Sequence, residues 1–324
     1  MGWTLTATAA RLGNLLRRGE ESVEPAPAEG TLFSRAFERA VARASAADAK
    51  ALEVARGQLA DRPQVIERAV ASGAPVSAVA ALAASWEGLG REARGIVAHP
   101  HGIGSGPVRW GSVAATQVDQ TTCGAATMGM MRMVGDPFVA LWVATGRSLG
   151  DYTPSEALHV EAEGLETLTV EERWHALQRV IHAQTTSSAL GPVAWPRALG
   201  TPPWKVDDRT RFAGIRFKGW LVDDSSPETL APLLRHARRA IADGIPVPLF
   251  SAGDSSLGLD TVIPRHVVLV VADTADGFLV YEPGAGAVLP LADAQLSSHG
   301  ERIAALGHWT RAAWLVMPVR ARRD

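Results

Sequence analysis

Cysteine is almost absent from this chain of 324 residues, and Cys123 is the only one. An intramolecular disulfide is therefore excluded, as is a structural zinc site built on several thiolates. Lysine is scarce too: Lys50, Lys205 and Lys218 are the only three among 32 basic residues. With heavy use of alanine, this is the pattern expected of a GC-rich bacterial genome. The formal net charge is only −2, so no general attraction to nucleic acid or anionic lipid is expected. The terminal arginines Arg320, Arg322 and Arg323 read as a solvated end. No run approaches the ~20 apolar residues that span a bilayer. Met1 to Leu16 lack the basic start and apolar run of a signal peptide. These absences lead to the expectation of a cytoplasmic chain with no membrane insertion and no nucleic-acid partner.

What is present is ordinary globular material. Hydrophobic residues make up 47% and charged residues 20%, enough for a packed core in one large or two modest domains. Residues 1–30 read as a tail and linker, with Pro25, Pro27 and Gly30 closing it. Residues 31–100 read as helical: Leu32, Phe33, Phe37, Val41 and Ala44 recur at helical spacing, and shorter helices are expected near 64–72 and 77–90. From 101 to 324 the texture changes. Helices are expected over 123–134, 169–185 and 227–243, with Gly135 as a C-cap. Strands are expected over 245–250, 266–271, 278–282 and 313–319. Helices and strands are largely segregated, which indicates an α+β class. A stretch around 140–225 reads as an insertion, rich in Pro, Trp and Arg over 190–224.

The strongest chemical signal runs from Gln117 to Ala126, QVDQTTCGAA. Thr121 or Thr122 is a suitable cap for a helix opening at Cys123. A thiol at a helix N-terminus is placed where the dipole favours the thiolate. Gly124, Ala125 and Ala126 allow that end to pack closely. From there a thiolate can attack a carbonyl while nearby backbone N–H groups face the developing oxyanion. Gln117, six residues upstream, can bring a side-chain amide to the same point. A lone cysteine is more often just a small core residue, but its neighbours here argue otherwise.

The second signal is the apolar run His266–Val271, a turn, and the run Phe278–Glu282. A hairpin symmetric about residue 274 pairs 270 with 278, 268 with 280 and 266 with 282. His266 and Glu282 then become cross-strand neighbours ~5 Å apart at Cβ. A carboxylate there can hold one imidazole nitrogen and leave the other for Cys123. Weaker signals carry less. His99 and His101 lack a third ligand and read as loop, so no metal is expected. Gly102-x-Gly104-x-Gly106 lacks the Lys-Ser/Thr of a phosphate-binding loop. No cofactor is implied.

Gln117-x5-Cys123-Gly124-Ala125-Ala126, His266 opening an apolar strand and the later Tyr281-Glu282-Pro283 together resemble the bacteriocin-processing, double-glycine leader peptidases, a family of papain-like cysteine peptidases. The resemblance covers roughly residues 108–140 and 228–318. It implies a papain-like core, with Cys123 as nucleophile, His266 as base, Gln117 at the oxyanion hole and Glu282 orienting the histidine. The implied activity is hydrolysis of a peptide or isopeptide bond through a Cys123 thioester, with a peptide or protein as substrate. Thr122 stands where that family has Asp, and Glu282 where it usually has Asp. Transglutaminase or glutamine deamidase chemistry uses the same groups, and a peptide-binding module without turnover is the alternative of another class. Oligomeric state stays open.

Overall fold

The computed structural model describes residues 9, 30–150, 152–160, 167–186, 212–224, 226–253, 264, 266–298 and 300–319. Most of the 1–30 tail and linker, most of the 190–224 stretch and the terminal arginines lie outside the described residues. The class is α+β, as the segregation of patterns indicates.

From residue 30 the described chain opens on five helices: α1 (Leu32–Arg43), α2 (Ala46–Gln58), α3 (Pro63–Ala71), α4 (Val76–Ser85) and α5 (Arg91–Ala98). The hydroxyls of Thr31 and Ser45 each accept the N–H three residues on, capping α1 and α2. Pro63 opens α3, where a missing N–H costs nothing. Short strands β1 (Gly106–Pro107), β2 (Arg109–Trp110) and β3 (Val113–Ala114) lead to α6 (Cys123–Gly135) and α7 (Pro137–Thr145). Then come α8 (Ser155–Leu158), α9 (Val170–Thr186), β4 (Arg216–Leu221), α10 (Pro227–Ala242) and β5 (Val247–Ala252). The chain ends in β6 (His266–Thr274), β7 (Gly277–Glu282), β8 (Ala287–Ala292), α11 (Asp293–Ser297), a 3₁₀ turn (Ala304–Leu306) and β9 (Arg311–Val319).

Seven strands form one antiparallel sheet in the order β1-β8-β7-β6-β5-β9-β4. Side chains of a strand alternate between faces, yet β5 is buried along its whole length. Both faces of the sheet are therefore covered there. Helix α6 packs on β6, and α10 packs across β5, β6 and β9. All thirteen residues of α6 are buried, as expected of a helix enclosed between α9 and the sheet. The apolar core is continuous from Phe33 and Phe37 of α1 through α6 to β5–β9.

Two buried arginines lock helix ends together. Arg68 of α3 donates to the carbonyls of Val134 (2.9 Å), Val97 (2.8 Å) and Ala98 (3.1 Å), the last turns of α6 and α5. Arg173 of α9 donates to Val143 (2.8 Å) and Ala144 (3.0 Å) at the end of α7, and to Leu168. The Val97, Ala98, Val134, Val143 and Ala144 carbonyls lie in the last turns of their helices, where no intrahelical N–H remains for them, and a cation at a helix C-terminus also complements the dipole.

Three expectations need correction. Gly135 is the last residue of α6 rather than its cap, and Asp136 follows in extended conformation. A Cβ at Gly135 would lie 2.6 Å from the Phe212 ring, so close packing is what requires glycine there. The hairpin is not symmetric about residue 274. Thr274 pairs with Gly277 across a two-residue turn, a bulge falls between Val270 and Ala272, and Val270 faces Val280 rather than Phe278. Finally, β4, β8 and α7 were not foreseen. Within the 140–225 stretch, β4 joins the main sheet beside β9 and α9 packs on α6.

Candidate active site

Cys123 is the first residue of α6 and is 2% exposed. Thr122 stands at the N-cap, but its side chain does not cap the helix. Its hydroxyl accepts from the Asp119 N–H (3.0 Å) and donates to the Asp119 carbonyl (2.9 Å). Asp119 Oδ1 in turn accepts from the backbone N–H and hydroxyl of Thr121, both at 2.7 Å. The two threonines expected to cap the helix therefore shape the turn before it. That turn delivers the thiol to the helix end, where the first N–H groups point outward.

His266 opens β6, and its Nε2 lies 2.6 Å from Glu282 Oε1 at the end of β7. The imidazole also hydrogen-bonds Cys123. With Nε2 committed to Glu282, Nδ1 is the nitrogen left for the sulfur. The histidine thus bridges thiol and carboxylate, and Cys123, His266 and Glu282 come together. The pair is largely dry, with side chains 12% and 6% exposed. Burial by itself pulls the imidazole down. The hydrogen bonds and charges of Cys123 and Glu282 outweigh it and hold His266 up at about 9. Burial likewise pushes Glu282 up, but His266 and the N–H groups of Gly284 and Ala285 hold it below the usual carboxylate range. Gly284 donates to Oε1 at 2.9 Å and Ala285 to Oε2 at 2.5 Å, so both carboxylate oxygens are engaged.

Gln117 is tied to the same strand end: its backbone N–H donates to the Pro283 carbonyl at 2.8 Å. Its side chain is folded back on its own loop. Nε2 donates to the Asp119 carbonyl at 2.7 Å, and Oε1 is buried with no hydrogen-bond partner among the described residues. The expected direct approach of this amide to the thiol is not what the side chain makes here. The amide nitrogen does carry a second hydrogen.

Two residues of α9 that sequence reasoning missed hold this loop. The Gln178 side chain accepts from the Val118 N–H and donates to the Thr116 carbonyl, each at 3.0 Å, clamping the chain on both sides of Gln117. Trp174 Nε1 donates to the same Thr116 carbonyl at 2.8 Å. From the opposite direction, the Tyr281 hydroxyl donates to Ala115 at 2.6 Å. The only local signal for Gln178 and Trp174 was their position on a helical pattern.

His99 and His101 lie in the loop after α5. Burial holds both imidazoles low, His101 at about 4, so both stay neutral near pH 7. Among the described residues no group of three His, Cys, Asp or Glu is placed to hold a metal ion. No described helix is long and apolar enough to cross a membrane. No protein-family model, curated protein or solved structure matches this chain.

Proposed function

We propose that the chain is a papain-like cysteine hydrolase that cleaves an amide bond in a peptide or protein through a thioester on Cys123. The observation that carries this reading is the histidine bridge, with His266 bonded to Cys123 on one side and to Glu282 on the other. A thiolate beside an imidazolium is a competent nucleophile, and the imidazolium is the acid that the leaving amine requires. Sγ attacks the carbonyl carbon, and the carbonyl oxygen takes the charge. The Cys123 backbone N–H and the second N–H of Gln117 stabilise that oxyanion. The tetrahedral species collapses with loss of the amine, which takes the His266 proton. Neutral His266 then removes a proton from water, which attacks the thioester and frees Cys123. Glu282 stays ionised throughout and holds the ring.

An amine in place of water gives transamidation, and a glutamine side chain as acyl donor gives deamidation, with the same residues in the same roles. The test is incubation with a diverse peptide library and mass-spectrometric detection of products. The reading predicts new peptide termini with wild type and none with Cys123→Ala. A mass change of side chains without cleavage redirects it to deamidation or transfer. Tight peptide binding with no product from any peptide points to a binding module.

A further inference from the structure

One face of the His266 ring, over its Cδ2–Nε2 bond, lies against backbone at Gly307. A Cβ built on Gly307 would lie 2.4 Å from Cδ2 and 2.5 Å from Nε2, far inside van der Waals contact. Gly307 closes the 3₁₀ turn Ala304–Leu306 in left-handed conformation, φ 65°. The turn is firmly held. Gly307 N–H donates to Ala304 and His308 N–H to Ile303, both at 3.0 Å, and Ile303 bridges to Trp309. Ala305 and Leu306 are buried. The fully buried Ser251 donates its hydroxyl to the Leu306 carbonyl at 2.9 Å. Ser251 stands directly opposite His266 in the β5–β6 ladder. The strand beside the histidine therefore fixes the turn that touches its ring.

We propose that Gly307 is a positioning residue: the turn anchored by Ser251 forms a wall against the His266 ring, keeping Nε2 on Glu282 and Nδ1 toward Cys123. The imidazole would otherwise rotate about its Cβ–Cγ bond, which has broad minima. A residue without a side chain is what fits there, because the ring face already occupies the place of a Cβ. The wall also keeps water from the His266–Glu282 bond, which strengthens it. Among the described residues, the charges that raise the ring are Cys123 from α6 and Glu282 from β7; β5 anchors the turn through the Ser251 hydroxyl, and His308, next to Gly307 in that turn, is exposed.

This inference rests on the reading of His266 as a working residue, but its test needs no turnover. The imidazole nitrogens are followed by NMR through a pH titration of the full chain carrying ¹⁵N-histidine, with His266→Ala identifying the resonance. Wild-type His266 is expected to titrate near 9. Gly307→Ala should lower that midpoint by about one unit or more, because the new methyl pushes Nε2 off Glu282. Gly73→Ala is the matched control. Gly73 has a similar positive φ of 86° with nothing within 4 Å of its built Cβ, so it carries the backbone strain without the contact. Should Gly307→Ala not fold, Ser251→Ala loosens the wall from behind and should shift the midpoint in the same direction by less. An unmoved His266 midpoint in the folded Gly307→Ala protein, or in Ser251→Ala where that variant replaces it, overturns the proposal, as does an equal shift in Gly73→Ala. A shift confined to the two wall variants in a protein that turns over no peptide keeps the wall and removes the hydrolase reading instead.

Discussion

Glu282 Oε1 meets His266 Nε2 at 2.6 Å although the two residues are not opposite each other in their hairpin. Leu269 faces Tyr281, so the continued ladder sets Glu282 against Val268, two residues from His266. The contact runs along a diagonal, where Cβ atoms stand farther apart than across a direct pair. The extra methylene of glutamate supplies the reach. Both carboxylate oxygens accept from N–H groups.

Glu282→Gln should therefore be the most damaging substitution of this carboxylate. An amide offers one acceptor oxygen, so its NH₂ must face a donor, at a cost of about 1–3 kcal/mol, and the imidazolium loses its charge partner. Glu282→Asp keeps the charge but falls short on the diagonal, and a smaller loss of kcat is expected. Equal, near-wild-type rates for both would remove Glu282 from the mechanism.

The His266 pair sets a pH window. Its folded value is raised to about 9 from the ordinary 6.5. The associated stability, on the order of 3 kcal/mol, is fully present below about pH 6.5 and lost as pH rises through about 9. Glu282, held low, works the other way: its contribution is present above the usual carboxylate value and lost on acidification. The melting temperature of wild type should fall between neutral pH and 9 more steeply than that of His266→Ala. On the proposed mechanism, kcat/KM should decline on the same alkaline limb, where His266 loses the proton intended for the leaving group.

Gln117→Ala should lower turnover by roughly 10²–10³-fold with little change in stability, as for loss of one oxyanion donor. Gln178→Met releases the loop on both sides of Gln117 and should lower kcat in wild type. In a Gln117→Ala background it should have far less effect, because the two act through one amide. Additive losses in kinetics of the four proteins would separate Gln178 from that role.

Arg68 joins the N-terminal helices to α6. Arg68→Leu leaves the carbonyls of Val97, Ala98 and Val134 without their donor, and a loss of about 3 kcal/mol or more is expected in urea denaturation. Burial holds this guanidinium down to about 10, yet it stays charged at neutral pH. A change below about 0.5 kcal/mol would show that the helix ends find other partners.

The parts of this arrangement that were legible in sequence were local ones. The helix at Cys123 announced itself through a polar turn followed by an apolar run, and β6 and β7 through β-branched stretches. The pairing of His266 with Glu282 was reached with the right partner and the wrong register. A symmetric loop ignored both the bulge after Val270 and the tight Ala275-Asp276 turn. Parity survived the two-residue offset, so both side chains stayed on one face. β8 was hidden because Pro290 reads as a breaker, although it pairs with Leu279 within the sheet. Nothing local foretold that Arg68 and Arg173 are buried and satisfy carbonyls at helix ends. Gln178 and Gly307 act across long sequence separations on Gln117 and His266, and neither sits in a motif.

In the proposed mechanism His266 activates Cys123. The most direct measurement is the rate of Cys123 alkylation by iodoacetamide as a function of pH, in wild type and in His266→Ala. Because Cys123 is the only cysteine, the label reports one site. Rapid labelling of wild type at neutral pH is expected, with labelling slower by about 10-fold or more in His266→Ala. Equal rates in the two proteins, both rising only at alkaline pH, would contradict it.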